Sequence, residues 1–305
     1  MFSGWRHKIG LYLGLLLLAL PLQARTIADA GDGLEIEGQP QRVVVLEYSF
    51  IDALAAVGVS PVGIADDNKP NRIVAPVRNL IGDYQSVGLR GQPNLEAIAN
   101  LQPDLIIADP RRHQAVYDDL KGIAPTLLLP SLGADYPSVL HSAGLIGQAL
   151  GREEQMQQRL QQHEQQMTQY REQLVTLADP NERYLFAIIS SRGFTMHSPQ
   201  AFASGVLARV GIQHALPQGS KQAYIKASFE QLAQANPDWL LLGIYSKEEG
   251  GDELIKRWQA SPLWNFLNAA KKKQVLEVSP QVWSLSRGMV TAEQIAAEVV
   301  ELNQR

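Results

Sequence analysis

Leu95-Glu96-Ala97-Ile98-Ala99-Asn100-Leu101-Gln102-Pro103-Asp104-Leu105-Ile106-Ile107 is answered 134 residues later by Phe229-Glu230-Gln231-Leu232-Ala233-Gln234-Ala235-Asn236-Pro237-Asp238-Trp239-Leu240-Leu241. In both copies an acid stands seven residues before a Pro-Asp pair, and an apolar run follows. Asn94 and Ser228, just upstream, are residues that accept an N–H of a first helical turn. The acid in that turn gains about 0.3–1 kcal/mol from the helix dipole. The apolar run after Pro-Asp reads as a buried strand. A helix-and-strand unit that occurs twice predicts two matching halves. Each acid alone is explained by its helix start. As a pair, Glu96 and Glu230 occupy matching outer positions and suit a two-fold partner carrying basic sockets.

Outward from the first copy, residues 42–46, 62–65, 105–108 and 126–129 read as strands, and 50–57 and 95–101 as helices. Around the second copy, 184–189, 239–242 and 275–278 read as strands, and 202–210, 229–235 and 293–302 as helices. Between them, residues 153–177 contain no Gly or Pro, and Met156, Leu160, His163, Met167, Tyr170, Leu174 and Leu177 recur at steps of four and three. That is one helix, roughly 37 Å long, with a single apolar seam. His163 on that seam is expected to be a packed histidine. The predicted fold is α/β: two lobes with mostly parallel sheets joined by one long helix, with a ligand cleft between the lobes. The expected divisions are 25–150, 151–178 and 179–305.

The first 24 residues have a different character. Arg6 and Lys8 precede an apolar run of about 12 residues, Pro21 breaks it, and Ala24 follows. A membrane span needs roughly 20, so the reading is a secretory signal cleaved after Ala24. The chain has no cysteine, hence neither disulfides nor a lipidated N-terminal thiol. The expected location is the periplasm. Removing two basic residues from 27 leaves 25 against 31 acids, a net charge of −6. Such a balance disfavours nucleic acid and anionic membranes as partners.

Enzyme signatures are missing. Gly58-Val59-Ser60-Pro61-Val62 fails as a nucleophile elbow, His163-Glu164 lacks the second histidine of a metalloprotease, and there is no phosphate-binding loop. His113, His141, His163, His197 and His214 are too scattered for a metal site. The expectation is a monomeric binding protein without catalytic residues or a cofactor.

The layout resembles the periplasmic binding proteins of iron–siderophore and corrinoid ABC importers, and most closely their ferric dicitrate-binding branch. The words that carry it are residues 40–46, the two Glu…Pro-Asp copies, the helix from Glu153, Leu46-Glu47-Tyr48-Ser49-Phe50, Arg90-Gly91-Gln92-Pro93-Asn94, Asp109-Pro110-Arg111-Arg112-His113 and Trp283-Ser284-Leu285-Ser286-Arg287-Gly288. The first lobe is the nearer match. The resemblance implies that Glu96 and Glu230 meet arginines of an inner-membrane permease, and that ferric citrate is the cargo. Strand-end loops carry Arg90, Arg112, Arg192 and Arg287, which coincide with arginines of that branch. Their guanidinium groups suit the carboxylates of a chelate. Trp283 and Tyr245 would add flat walls or a donor, and Tyr48 is a weaker candidate. Arg111 is the spare beside Arg112. The iron needs no protein ligand, since citrate oxygens can fill its coordination sphere. Alternatives are a hydroxamate or catecholate siderophore, haem or a corrinoid. Further off lie a periplasmic hydrolase and a partner protein that binds no small ligand.

Overall fold

The structure is a computed structural model; it describes residues 24–27, 33–245 and 251–304. The expected signal segment, apart from Ala24, lies outside the described residues. Strand β1 (Ala24–Ile27) pairs antiparallel with β2 (Leu34–Glu37).

The first lobe holds a sheet of five parallel strands: β3 (Val43–Val45), β4 (Gly63–Ile64), β5 (Gln85–Ser86), β6 (Leu105–Ala108) and β7 (Thr126–Leu128), in the order β5-β4-β3-β6-β7. β3 and β6 are wholly buried, as continuous apolar runs in a parallel sheet require. In the second lobe, β8 (Arg183–Ser190), β11 (Trp239–Ile244) and β12 (Val275–Val278) are parallel. There β9 (Gly193–His197) and β10 (Tyr224–Lys226) add an antiparallel edge, in the order β10-β9-β8-β11-β12. That edge was not legible in the sequence.

The repeat has a physical basis. The carboxylate of Asp104 accepts the Gln41 and Arg42 N–H groups at 2.7 and 2.9 Å, and that of Asp238 accepts the Arg183 N–H at 3.0 Å. Each Asp therefore pins the chain where it enters the central strand of its own sheet. Gln102 and Asn236, before the two prolines, both sit at positive φ, 45° and 42°. The matching turn is thus built twice.

The long helix spans Glu153–Leu177, as its seam predicts. With α1 (Tyr48–Ala56) as the first helix used here, we number α2 (Leu95–Asn100), α3 (Pro110–His113), α4 (Tyr136–Ala149), α5 (Glu153–Leu177), α6 (Phe202–Arg209), α7 (Phe229–Ala235) and α8 (Met289–Asn303). Helix α8 begins four residues before the position expected, because Gly288 and the groups ahead of it shape its start. His163 on α5 is 1 % exposed and is packed, as expected. It is 2.6 Å from the Tyr136 hydroxyl of α4 through Nε2 and 2.7 Å from Glu293 of α8 through Nδ1, while Arg159 pairs with Glu293 at 2.8 Å. One hub thus ties the strut to both halves. Leu177, the last seam residue, is exposed.

Three apolar clusters fill the molecule. One lies beneath the outer helices of each lobe. The largest is shared: Val43, Tyr48, Ile51 and Leu105 of the first lobe join Tyr184, Phe186, Trp283 and Ile295 of the second.

Candidate functional site

The carboxyl ends of the first-lobe strands bear Glu47, Asp66, Asp67, Asp109 and Ser131, all in loops that leave the sheet. This is where ligands sit in open α/β sheets. Glu47 follows β3 and is wholly buried. Its carboxylate faces three guanidinium groups. Arg90 Nη1 and Arg287 Nη2 each lie 3.4 Å from Oε2, and Arg112 Nε contacts Oε1. Arg90 and Arg112 come from the first lobe and Arg287 from the second. Arg287 also donates to Ser131 Oγ at 3.1 Å and to the Ser284 carbonyl at 2.9 Å.

Each arginine has its own support. Asp67 sits at φ 59°, which a non-glycine residue rarely adopts. From there its carboxylate accepts the Arg90 backbone N–H at 2.9 Å and its Nη2 at 2.8 Å, and pairs with Arg72 at 2.8 Å. Burial pushes the Asp67 carboxyl up, but the hydrogen bonds and charge of Arg90 outweigh it and hold it below the usual carboxylate range. Burial likewise opposes charge on Arg90, yet Glu47 and Asp67 keep its pKa above the ordinary value. The Tyr48 ring lies under the Arg90 guanidinium, 4.5 Å from its centre, a cation–π contact. The Tyr48 hydroxyl donates to the Asp66 carbonyl at 2.8 Å.

Asp109 joins the other two loops. Its carboxylate caps α3 at the Arg112 N–H (3.0 Å) and accepts the Ser131 and Leu132 N–H groups at 2.8 and 2.9 Å. His113 is buried; its Nδ1 accepts the Asp109 N–H at 2.9 Å, leaving Nε2–H to donate to the Arg90 carbonyl at 2.7 Å. Burial depresses its pKa, so the ring is neutral and fixed in one tautomer. His113 thereby couples the Arg90 turn to the Arg112 helix.

The structure brings Arg90, Arg112, Arg287 and Tyr48 together. Tyr245 stands near them: burial raises its phenol pKa, partly offset by a Ser284 hydrogen bond and the charge of Arg287. Two of the expected residues stand apart from this cluster. Trp283 is 1 % exposed, with its ring 5.3 Å from Phe186 and its indole N–H given to Glu298 at 2.6 Å. It is a core residue, because the short π-helical turn at 281–285 rolls it inward. Arg192 lies exposed in the β8–β9 turn and does not join the cluster; the hairpin was not anticipated. Arg111 is exposed too and, with Gln200, Lys221 and Tyr224, lines an open groove of about 550 Å³ between the lobes.

Glu47, Asp67, Asp109, His113 and Ser131 were not singled out in the sequence. Glu47 carried a usable signal, a lone acid inside the apolar stretch 43–51. Glu96 and Glu230 are exposed in the first turns of α2 and α7. Asn94 caps the first helix, and Ser228 forms a capping box with Gln231 in the second. The Ser228 hydroxyl and the backbone N–H hold the Glu230 carboxyl below its usual range.

The Periplasmic binding protein profile matches residues 43–282. The chain belongs to the periplasmic binding protein family. It is 44% identical over 293 residues to the Fe(3+) dicitrate-binding periplasmic protein FecB of Escherichia coli K12, covering 96% of this chain and 94% of the relative. It is 37% identical over 278 residues to the Fe(3+)-citrate-binding protein YfmC of Bacillus subtilis 168, covering 91% and 85%. Among solved structures, Staphylococcus aureus SirA complexed with staphyloferrin B superposes with a TM-score of 0.77 at 23% identity, over 88% of this chain and 95% of that one. The last comparison speaks to the fold. FecB and YfmC are named as binding proteins. Among the described residues no helix is long and apolar enough to cross a membrane, and no three His, Cys, Asp or Glu side chains are grouped to hold a metal ion.

Proposed function

We propose that the protein is the periplasmic binding component of an ABC importer, that it captures ferric citrate as an anionic chelate, and that it delivers this cargo to an inner-membrane permease. The observation that carries the reading is the connected ion network at the lobe seam. Four guanidinium groups (Arg72, Arg90, Arg112, Arg287) meet two carboxylates, Glu47 and Asp67. Guanidinium forks grip carboxylates bidentately, which suits a polycarboxylate chelate. The iron stays inside the chelate, held by citrate oxygens.

The 44% identity to a ferric dicitrate-binding relative, over nearly the full length of both chains, supports citrate over hydroxamate, catecholate, haem or corrinoid cargo. Glu96 and Glu230, exposed on matching helices, are the proposed contacts to permease arginines. The N-terminal leader and the periplasmic relatives favour the periplasm. The protein acts as a monomer and catalyses nothing.

The test is a tryptophan-fluorescence titration of residues 25–305 with ferric citrate, a ferric hydroxamate and cyanocobalamin. Saturable binding of ferric citrate alone, micromolar or tighter, is expected. A response to another chelate and none to ferric citrate would overturn the cargo assignment.

A further inference from the structure

Arg111, the neighbour of Arg112, faces a different space. Consecutive residues of two strand-end segments divide between two places. Arg112 turns to Glu47 in the buried cluster, while Arg111 lines the groove between the lobes. Ser131 turns to Arg287, while Pro130 and Leu132 line the groove. Neighbouring Cα atoms are about 3.8 Å apart, so cluster and groove adjoin. Gly133 sets where Arg111 lies. It sits at φ 72°, and a Cβ there would stand 2.6 Å from Arg111 Nη1 and 3.9 Å from the Cβ of Ala223 in the second lobe. The guanidinium therefore rests over bare backbone where the lobes meet. Lys221, just upstream of Ala223, brings a second cation from the other wall. Among the described residues neither cation has an ion-pair or hydrogen-bond partner for its side chain. The acid on the lining, Asp135, is turned to its own helix, where it accepts the Ser138 N–H at 2.9 Å and caps α4. Two unpaired cations thus face one open space of about 550 Å³ from opposite lobes.

We infer that Arg111 and Lys221 form a second anion subsite, which holds the outer citrate of a chelate whose inner citrate meets the buried arginine cluster. This rests on the ferric citrate reading above. Two citrates around one ferric ion leave uncoordinated carboxylate oxygens at both ends of the complex, and the cluster can meet only one end. Arg111 takes carboxylate oxygens at the other end as a planar fork, and Lys221 as a point charge. The subsite therefore selects chelates long enough to reach it, with two citrates per iron rather than one. Because its cations stand on different lobes, the outer citrate also links the two lobes.

The test is calorimetric titration of residues 25–305 with ferric citrate, prepared in citrate excess so that the two-citrate chelate dominates, with matched citrate in cell and syringe. Arg111→Ala and Lys221→Ala are each expected to weaken binding about tenfold. Their melting temperatures should match wild type, because both side chains are exposed. Arg192→Ala, an exposed arginine outside the groove, should stay within about twofold of wild type, which separates contact from overall charge. Iron-free citrate, a single citrate, should lose less than about twofold in the Arg111 and Lys221 variants. Ferric citrate affinities within about twofold of wild type in both variants would overturn the inference. So would losses matched by Arg192→Ala, or equal losses for ferric and iron-free citrate. Wild type that does not bind ferric citrate removes the cargo reading and the inference together. Wild type that binds it, with both variants unchanged, removes the inference alone.

Discussion

The carboxylate of Asp52 in α1 closes the amino end of α8, accepting the Val290 and Thr291 N–H groups at 3.3 and 3.1 Å and the Thr291 hydroxyl at 3.0 Å. Residues 239 positions apart thus form one cap between the first lobe and the C-terminal helix. Gly288 makes the approach possible: a Cβ there would stand 2.1 Å from Asp52 Cγ and 2.4 Å from its Cβ. Asp52→Ala should cost about 1–3 kcal/mol, from the lost cap and the buried N–H groups left without partners. Gly288→Ala should cost about 3 kcal/mol or more. Combining them should bring no rescue, since the Asp52 Cβ clash remains in alanine. Urea unfolding checks all three, and a double variant more stable than Gly288→Ala would contradict the geometry.

Arg90→Ala and Arg287→Ala should each weaken ferric citrate by about 2–5 kcal/mol, because each removes a buried charge partner. Arg192→Ala, outside the cluster, should change binding by less than about 0.5 kcal/mol. Trp283→Phe should lower the melting temperature and leave affinity nearly unchanged. Isothermal titration of the four variants separates site from core.

Charge reversal of Glu96 and Glu230 together should abolish iron citrate uptake by cells and leave chelate binding by the purified protein intact. Both acids are exposed and neither belongs to the arginine cluster, so the two readouts divide cleanly. An unchanged uptake rate would sink the docking role.

His197 should give the fold a pH dependence. Its ring is buried between Phe186 and Tyr224, and its Nδ1 has no partner. Burial first, then the charges of Arg287 and His214, push its pKa down to about 3. The folded state therefore refuses a proton that the unfolded chain accepts below about 6.5. Stability from this residue is full above that value and falls as the pH drops towards 3, by up to about 1.4 kcal/mol per unit. Moving from pH 7 to pH 5 should cost about 2 kcal/mol, and His197→Phe should remove that part of the slope. Parallel profiles for variant and wild type would refute it.

The halves, the long strut and the paired acids were legible because each rests on local rules: a capped helix start, an unbroken apolar seam, a Pro-Asp turn used twice. The arginines were legible only as members of strand-end loops. Their convergence on Glu47 was not, because it depends on a contact between residues 47 and 287 that no local pattern encodes. The burial of Trp283 was hidden for the same reason, since its inward roll follows from the turn at 281–285 and the Glu298 partner one helix away. The β9–β10 edge escaped because Gly193–His197 and Tyr224–Lys226 are short and only half apolar.

The shared core has a consequence for how the protein comes apart. Helix α8 belongs to the second lobe by sequence, yet it caps against α1, packs on α5 and fills the same apolar cluster as Val43 and Ile51. A chain cut after residue 150 would expose that cluster, and a chain beginning at 179 would lose both the strut and the face that α8 covers. The two lobes are therefore not separable modules. They should melt in a single transition, and their central amides should exchange with solvent together, at the rate of whole-molecule unfolding.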